Sequence, residues 1–153
     1  MSVKERDNGH RALRARLAQS KARVTVGIHE AEGSDAAEGS EELTVLDVAT
    51  FAEFGTEKAP RRSMIVDWAD ENEEANKEAL RRSAEAVVKG ELPSVHNALD
   101  RVGQKFVGDV QARIRAGIDP PNADSTIEKK GSSTPLIDTG QLWTSVRHEV
   151  EDE

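Results

Sequence analysis

Val95, Leu99, Val102, Phe106, Val110 and Ile114 recur at spacings of three and four, the strongest stripe in the chain. It predicts a long amphipathic helix opened by Pro93 and terminated by Gly117. A pattern of period two runs from Ala22 to Glu30, with Val24, Val26 and Ile28 on one face and Thr25, Gly27 and His29 on the other. That is the pattern of a half-buried strand. The alternation returns over 145–150, where Val146, His148 and Val150 oppose Ser145, Arg147 and Glu149, and predicts a final strand pairing with the first. Thr44 is placed to cap a helix reaching about Phe54, with Val45, Val48, Ala49 and Ala52 as its apolar stripe and Gly55 as its stop.

Weaker signals fill the gaps. Leu13 and Leu17, at i,i+4 spacing, predict a short helix within residues 3–20. Residues 56–64 read as extended, because Pro60 biases Ala59 away from helix, and alternation through Met64, Ile65 and Val66 predicts a further strand. Residues 67–89 read as one helix. Asp67, Asp70, Glu71, Glu73 and Glu74 crowd its start, and Arg81, Arg82 and Lys89 lie near its end, in accord with the helix dipole. Its apolar face, Ala75, Ala79, Leu80, Ala86 and Val87, is alanine-rich and suits close approach of a neighbour; Gly90 stops it. Beyond Gly117, Asp119-Pro120-Pro121-Asn122 is a rigid break, a short helical turn is expected over 124–130, and Gly131-Ser132-Ser133 is flexible. No internal repeat is evident.

Together these elements predict an α+β domain: a small antiparallel sheet packed against two long helices, with an N-terminal helix and extended loops. Residues 1–21 form a basic helical arm, and 22–153 form a single domain containing a mobile, acidic, Gly/Ser-rich loop at 31–42. That loop lacks the ligand spacing of a calcium loop.

Composition narrows the picture. Leu, Ile, Val and Phe make up 32 of 153 residues, close to the level of roughly 20% below which disorder is the default. A third of the chain is charged and there is no tyrosine. Such a chain buries a thin core, and a partner surface would help complete it. Without cysteine there is neither a disulfide framework nor thiolate chemistry. The charged first residues do not read as a signal peptide, and no apolar run approaches a membrane span of about 18 residues. The net charge of −8 is uneven, because residues 1–23 carry seven bases and two acids. A basic arm on an acidic body suits docking on an acidic neighbour or on phosphates. With no aromatic interleaving, it supports only nonspecific nucleic-acid contact.

Leu136-Ile137-Asp138-Thr139-Gly140 raises a sharper question, since an apolar strand followed by Asp-Thr-Gly is how an aspartic protease loop reads. Such enzymes pair two carboxylates across a cleft built from strands. Asp138 supplies one per subunit, but too few residues follow it to build the cleft, and Gln141-Leu142 departs from the small or acidic residues usual there. A structural role explains more. Asp138 or Thr139 caps a turn through Gln141 and Trp143, Gly140 permits the reversal, and Leu136, Ile137, Leu142 and Trp143 anchor it. The four histidines share no i,i+4 pairing, Lys129-Lys130-Gly131 has the wrong order for a phosphate loop, and no nucleophile-elbow motif occurs. No catalytic residue, metal or cofactor is expected.

Several segments in order carry a resemblance. Val48-Ala49, then Glu53-Phe54-Gly55-Thr56, then Pro60-Arg61-Arg62 resemble the first half of the neck and tail-completion proteins of long-tailed bacteriophages. Thr126, Lys129-Lys130-Gly131 and the run Pro135 to Val146 are similar to their second half. Ser63-Met64 stands where that pattern has Pro-Phe. The similarity spans about residues 22 to 150. It implies a virion protein of the head–tail junction, assembled in the bacterial cytoplasm as a ring, usually sixfold. Its expected partners are connector or adaptor proteins on one side and tail terminator or tail tube proteins on the other, with genomic DNA passing unread through the lumen and no membrane. Tail terminators, which cap the tube, share the pattern, and a binding module working through the basic arm is the alternative in another class. The expected framework and contact residues are Phe54, Gly55, Thr56, Pro60, Arg61, Arg62, Leu136, Ile137, Asp138, Thr139, Gly140, Leu142 and Trp143.

Overall fold

The computed structural model describes residues 9–17, 21–38, 40–121 and 140–152. Its elements run α1 (His10–Leu17), β1 (Ala22–Gly27), α2 (Glu30–Gly33), α3 (Val45–Phe54), α4 (Val66–Glu71), α5 (Glu73–Lys89), α6 (Val95–Ala116), α7 (Gln141–Thr144) and β2 (Arg147–Asp152). The class is α+β. The helical turn expected at 124–130 and the flexible stretch at 131–133 lie outside the described residues.

The two strands pair antiparallel, Ala22 opposite Asp152 through Gly27 opposite Arg147, as the matching alternations require. An isolated ribbon of two strands is marginal in water, and this one is supported by a helix. Its inner face, with Val24, Val26 and His148, lies on α6, and α5 packs against α6 as well. Val102, Phe106, Val110 and Ile114 are buried, as the stripe predicts. They meet Val45, Ala49 and Ala52 from α3, Met64 and Trp68 around α4, and Leu142 and Val146 near the C-terminus in one core. Trp68 meets Phe106 edge to face with centroids 5.4 Å apart, the favoured aromatic geometry.

Gly103 sets how closely the sheet approaches α6. A Cβ there would stand 2.7 Å from His148 Cγ and 2.9 Å from Val24 Cγ2, and would press on His148 Cδ2. Removing that side chain lets the imidazole lie flat on the helix, where Nε2 reaches Asp100 at 2.8 Å.

Several boundaries differ from the expected ones. Met64 to Val66 is not a strand. Ile65 is the residue before α4, and Val66 is already helical. The apolar triplet is bent into a helix start because one carboxylate gathers its amides, as described below. The helix expected at 67–89 breaks at Asn72, whose side-chain amide donates to Trp68 O at 2.9 Å. The Asn72 backbone N–H donates to the same carbonyl at 3.1 Å, and its φ of −110° and ψ of 15° depart from helical values. Within α5, Ala75 and Leu80 are exposed, while Val87 is buried and Ala79 packs on the core. Arg81 and Arg82 grip Glu78, holding its carboxyl down at about 2. Ser94, not Pro93, caps α6, its hydroxyl accepting from Asn97 N at 3.2 Å.

The acidic 31–42 segment also gains structure. It begins inside α2, Ala36 bridges Thr44, and buried Ala37 donates to Leu43 O at 2.7 Å. Gln141 clamps it from α7, donating through Nε2 to Ala36 O at 3.0 Å and accepting through Oε1 from Glu38 N at 2.8 Å.

Gly103→Ala tests the close approach of sheet and helix. Overpacking of this kind costs about 1–3 kcal/mol. We expect a fall in Tm of roughly 2–10 °C in a thermal melt, with near-complete retention of helical circular dichroism.

Candidate functional site

The segment Glu53 to Asp67 carries the first half of the resemblance, and it folds as a compact joint between α3 and α4. The helix leading into it is well specified. Thr44 and Asp47 form a reciprocal capping box, Asp47 N donating to Thr44 Oγ1 at 3.2 Å and Thr44 N donating to Asp47 Oδ2 at 2.9 Å.

At its far end sits Glu53, a carboxylate only 8% exposed. Oε2 accepts from Met64 N at 2.9 Å and Ile65 N at 3.2 Å. Oε1 accepts from Val66 N at 2.9 Å and from the Ser63 hydroxyl. The same Ser63 oxygen accepts from Asp67 N at 2.9 Å. Glu53 thus takes the Val66 amide at the start of α4 and the two before it, and Ser63 takes that of Asp67, amides the helix itself would leave unpaired. Burial is the largest single influence on Glu53 and works to raise its pKa. The hydrogen bonds from Ser63, Val66, Met64 and Ile65 together outweigh it and hold the carboxyl below its ordinary value.

Between Glu53 and Ser63 the chain turns on Gly55 and Thr56. Gly55 has φ +77°, and a Cβ there would stand 2.9 Å from Arg61 N and 3.3 Å from Ala59 O. Thr56 closes the turn, its N–H donating to Ala59 O at 2.8 Å and its hydroxyl accepting from Lys58 N at 3.2 Å and Ala59 N at 3.0 Å. Pro60 is exposed in the extended run that follows.

The two arginines have separate tasks. Arg61 forks onto Asp67, with contacts of 3.0 and 2.5 Å, and its side-chain hydrogen bonds hold that carboxyl below its ordinary value. Arg62 donates its backbone N–H to Ala52 O at 2.7 Å, and its guanidinium reaches Pro120 O at 2.7 Å and Pro121 O at 3.1 Å. It therefore ties the joint to the chain leaving α6. Arg113 on α6 adds a second tie by pairing with Glu71 on α4. Ser63-Met64, which replaces Pro-Phe in the resembling pattern, is 1% exposed at both positions. Serine supplies the hydroxyl bridge and methionine fills the core.

Phe54 stands apart from this bonding. It is 71% exposed, the most exposed large apolar residue described, and it sits on an otherwise fully bonded joint.

Of the second predicted group, Leu136, Ile137, Asp138 and Thr139 lie outside the described residues. Gly140 immediately precedes α7, with φ +86°. Leu142 is buried in the core, and Trp143 packs at its margin beneath Arg115, whose guanidinium carbon lies 5.1 Å from the ring centroid. Among the described residues, the two predicted groups do not come together as one site. Gly55, Thr56, Arg61 and Arg62 build the joint, while Leu142 and Trp143 serve the core.

Glu53 and Ser63 entered the sequence reading only through the resemblance and not as expected framework residues, and Trp68 was not named. Glu53 had a readable signal, because it falls one turn after Ala49 on the apolar side of α3, where a charge requires partners. No group of three or more His, Cys, Asp or Glu among the described residues is arranged to hold a metal ion. None of the helices among them is long and apolar enough to cross a membrane. Compared with family models, curated proteins and solved structures, the chain matches none.

Two predictions follow the joint's chemistry. Glu53→Gln keeps the volume but turns an amide NH2 toward backbone donors. It should lower stability at neutral pH by about 2–4 kcal/mol, measured by urea unfolding. Because the folded-state pKa of Glu53 is depressed, its contribution is complete above the unfolded value near 4.5 and is lost as pH falls through the lower folded value. The wild-type and Glu53→Gln curves should therefore converge in acid. Gly55→Ala, forced to hold a positive φ against Arg61 N, should cost about 1–3 kcal/mol.

Proposed function

We propose that this chain is a structural subunit of the head–tail junction of long-tailed bacteriophages, a neck or tail-completion protein that assembles as a ring and performs no chemistry. The observation that carries the reading is the Glu53–Asp67 joint. The residues of the first half of the resemblance lie in an internally bonded elbow that presents an exposed aromatic, Phe54. A rigid element that displays apolar surface suits contact with another protein.

The thin core supports the same reading. Leu46, Phe51, Val66 and Val88 are each more than two-fifths exposed, a large fraction of apolar side chains for a chain with so few. Surface of this kind is stabilised when neighbours cover it. In the proposed ring, the subunit matches connector on one face to tail on the other and leaves a channel for DNA.

The reading predicts that the protein is a stoichiometric component of the mature particle. Mass spectrometry of purified virions encoding it should detect it, and antibody labelling should mark the neck between head and tail. Its absence from particles, or labelling along the whole tail shaft, would overturn the assignment.

A further inference from the structure

Residues 30–57 hold nine acidic side chains and no lysine, arginine or histidine. Glu53 is committed to the joint and Asp47 to the Thr44 cap. Among the described residues, no ion pair neutralises the other seven. This acidic stretch is folded around α3. Helix α2 packs on it so closely that a Cβ at Gly33 would stand 3.1 Å from Leu46 Cβ. The outer side of α3 is apolar, with Leu46, Phe51 and Phe54 exposed by 46%, 42% and 71%.

An apolar helix face bordered by unpaired acids is complementary to a basic amphipathic helix. The chain carries one. Helix α1, HRALRARL, has three arginines and no acid, and Arg14 and Leu17 lie on its exposed side. It packs against α5 of its own chain.

We propose that the outer face of α3 docks helix α1 of a second copy, with Leu17 seated among Leu46, Phe51 and Phe54 and Arg14 facing the acids of 30–57. The inference deepens the ring reading and rests on it. Donor and acceptor are different surfaces, so each docked pair leaves one of each free, and the contact repeats until rotation closes it. Charge steers the approach, and added salt weakens it.

A mixing experiment with the full chain tests the contact, with mass read by sedimentation velocity and light scattering. One variant, Phe51→Asp with Phe54→Asp, loses the acceptor face; the other, Arg14→Glu with Leu17→Asp, loses the donor. Each alone should lose the assembled mass of the wild type and sediment as a single chain. An equimolar mixture should give a two-chain species and nothing larger, because one intact donor meets one intact acceptor. Circular dichroism verifies folding, and the milder Phe54→Ser and Leu17→Ser replace any variant that fails it. Wild-type assemblies that survive in either variant, or a mixture that stays monomeric, would overturn this contact and leave the ring reading standing. A wild type that never assembles would overturn both.

Discussion

A single apolar stripe along α6 is shared by most of the described elements. The sheet lies on it near Gly103, α5 packs beside it, and α3, α4 and α7 send Val45, Trp68 and Leu142 into the core it organises. The chain has few large aliphatic residues, and among the described residues twelve buried side chains form this one cluster. Ile114 and Val110 have no exposed surface, and a cavity at either would be felt by helices on both sides.

What the stripe cannot do is orient α4, a helix of six residues. Helices so short do not form by propensity alone. Glu53 supplies the missing constraint, drawing amides at 64, 65 and 66 and the Ser63 hydroxyl onto one carboxylate. Arg61 and Arg62 then brace the elbow from outside, one onto Asp67 and one onto the carbonyls of Pro120 and Pro121. With these polar groups spent internally, Phe54 is left exposed beside the charged Glu57 and Lys58. That division of labour suits a part whose task is to hold a shape against a neighbour.

Much of this was legible in the sequence wherever periodicity ran long enough. The α6 stripe, the alternation of β1 and β2, and the Thr44 and Gly55 boundaries of α3 each follow from local chemistry that tertiary contacts reinforce. The errors fell where a distant group overrides local preference. Met64-Ile65-Val66 has strand character, and a carboxylate eleven residues earlier turns it into a helix start. Asn72 is a local exception, ending α4 within a stretch whose charges and alanines favour continuity. Gln141 read as a departure from a protease pattern and as part of a capped turn, and it proved to be the clamp on the acidic segment. Of the candidate residues, Arg61 and Arg62 were chosen for a resemblance, while their partners, Asp67 and the 120–121 carbonyls, depend on the folded path of the chain.

The isolated chain has a thin core, an exposed aromatic face and an uneven charge distribution, and the proposed ring would cover these with other copies. Electron microscopy of the purified full chain over a range of concentrations tests this most directly. The account predicts closed rings of uniform diameter with a central channel. A population that stays monomeric at every concentration, or that forms open filaments without closing, would contradict it.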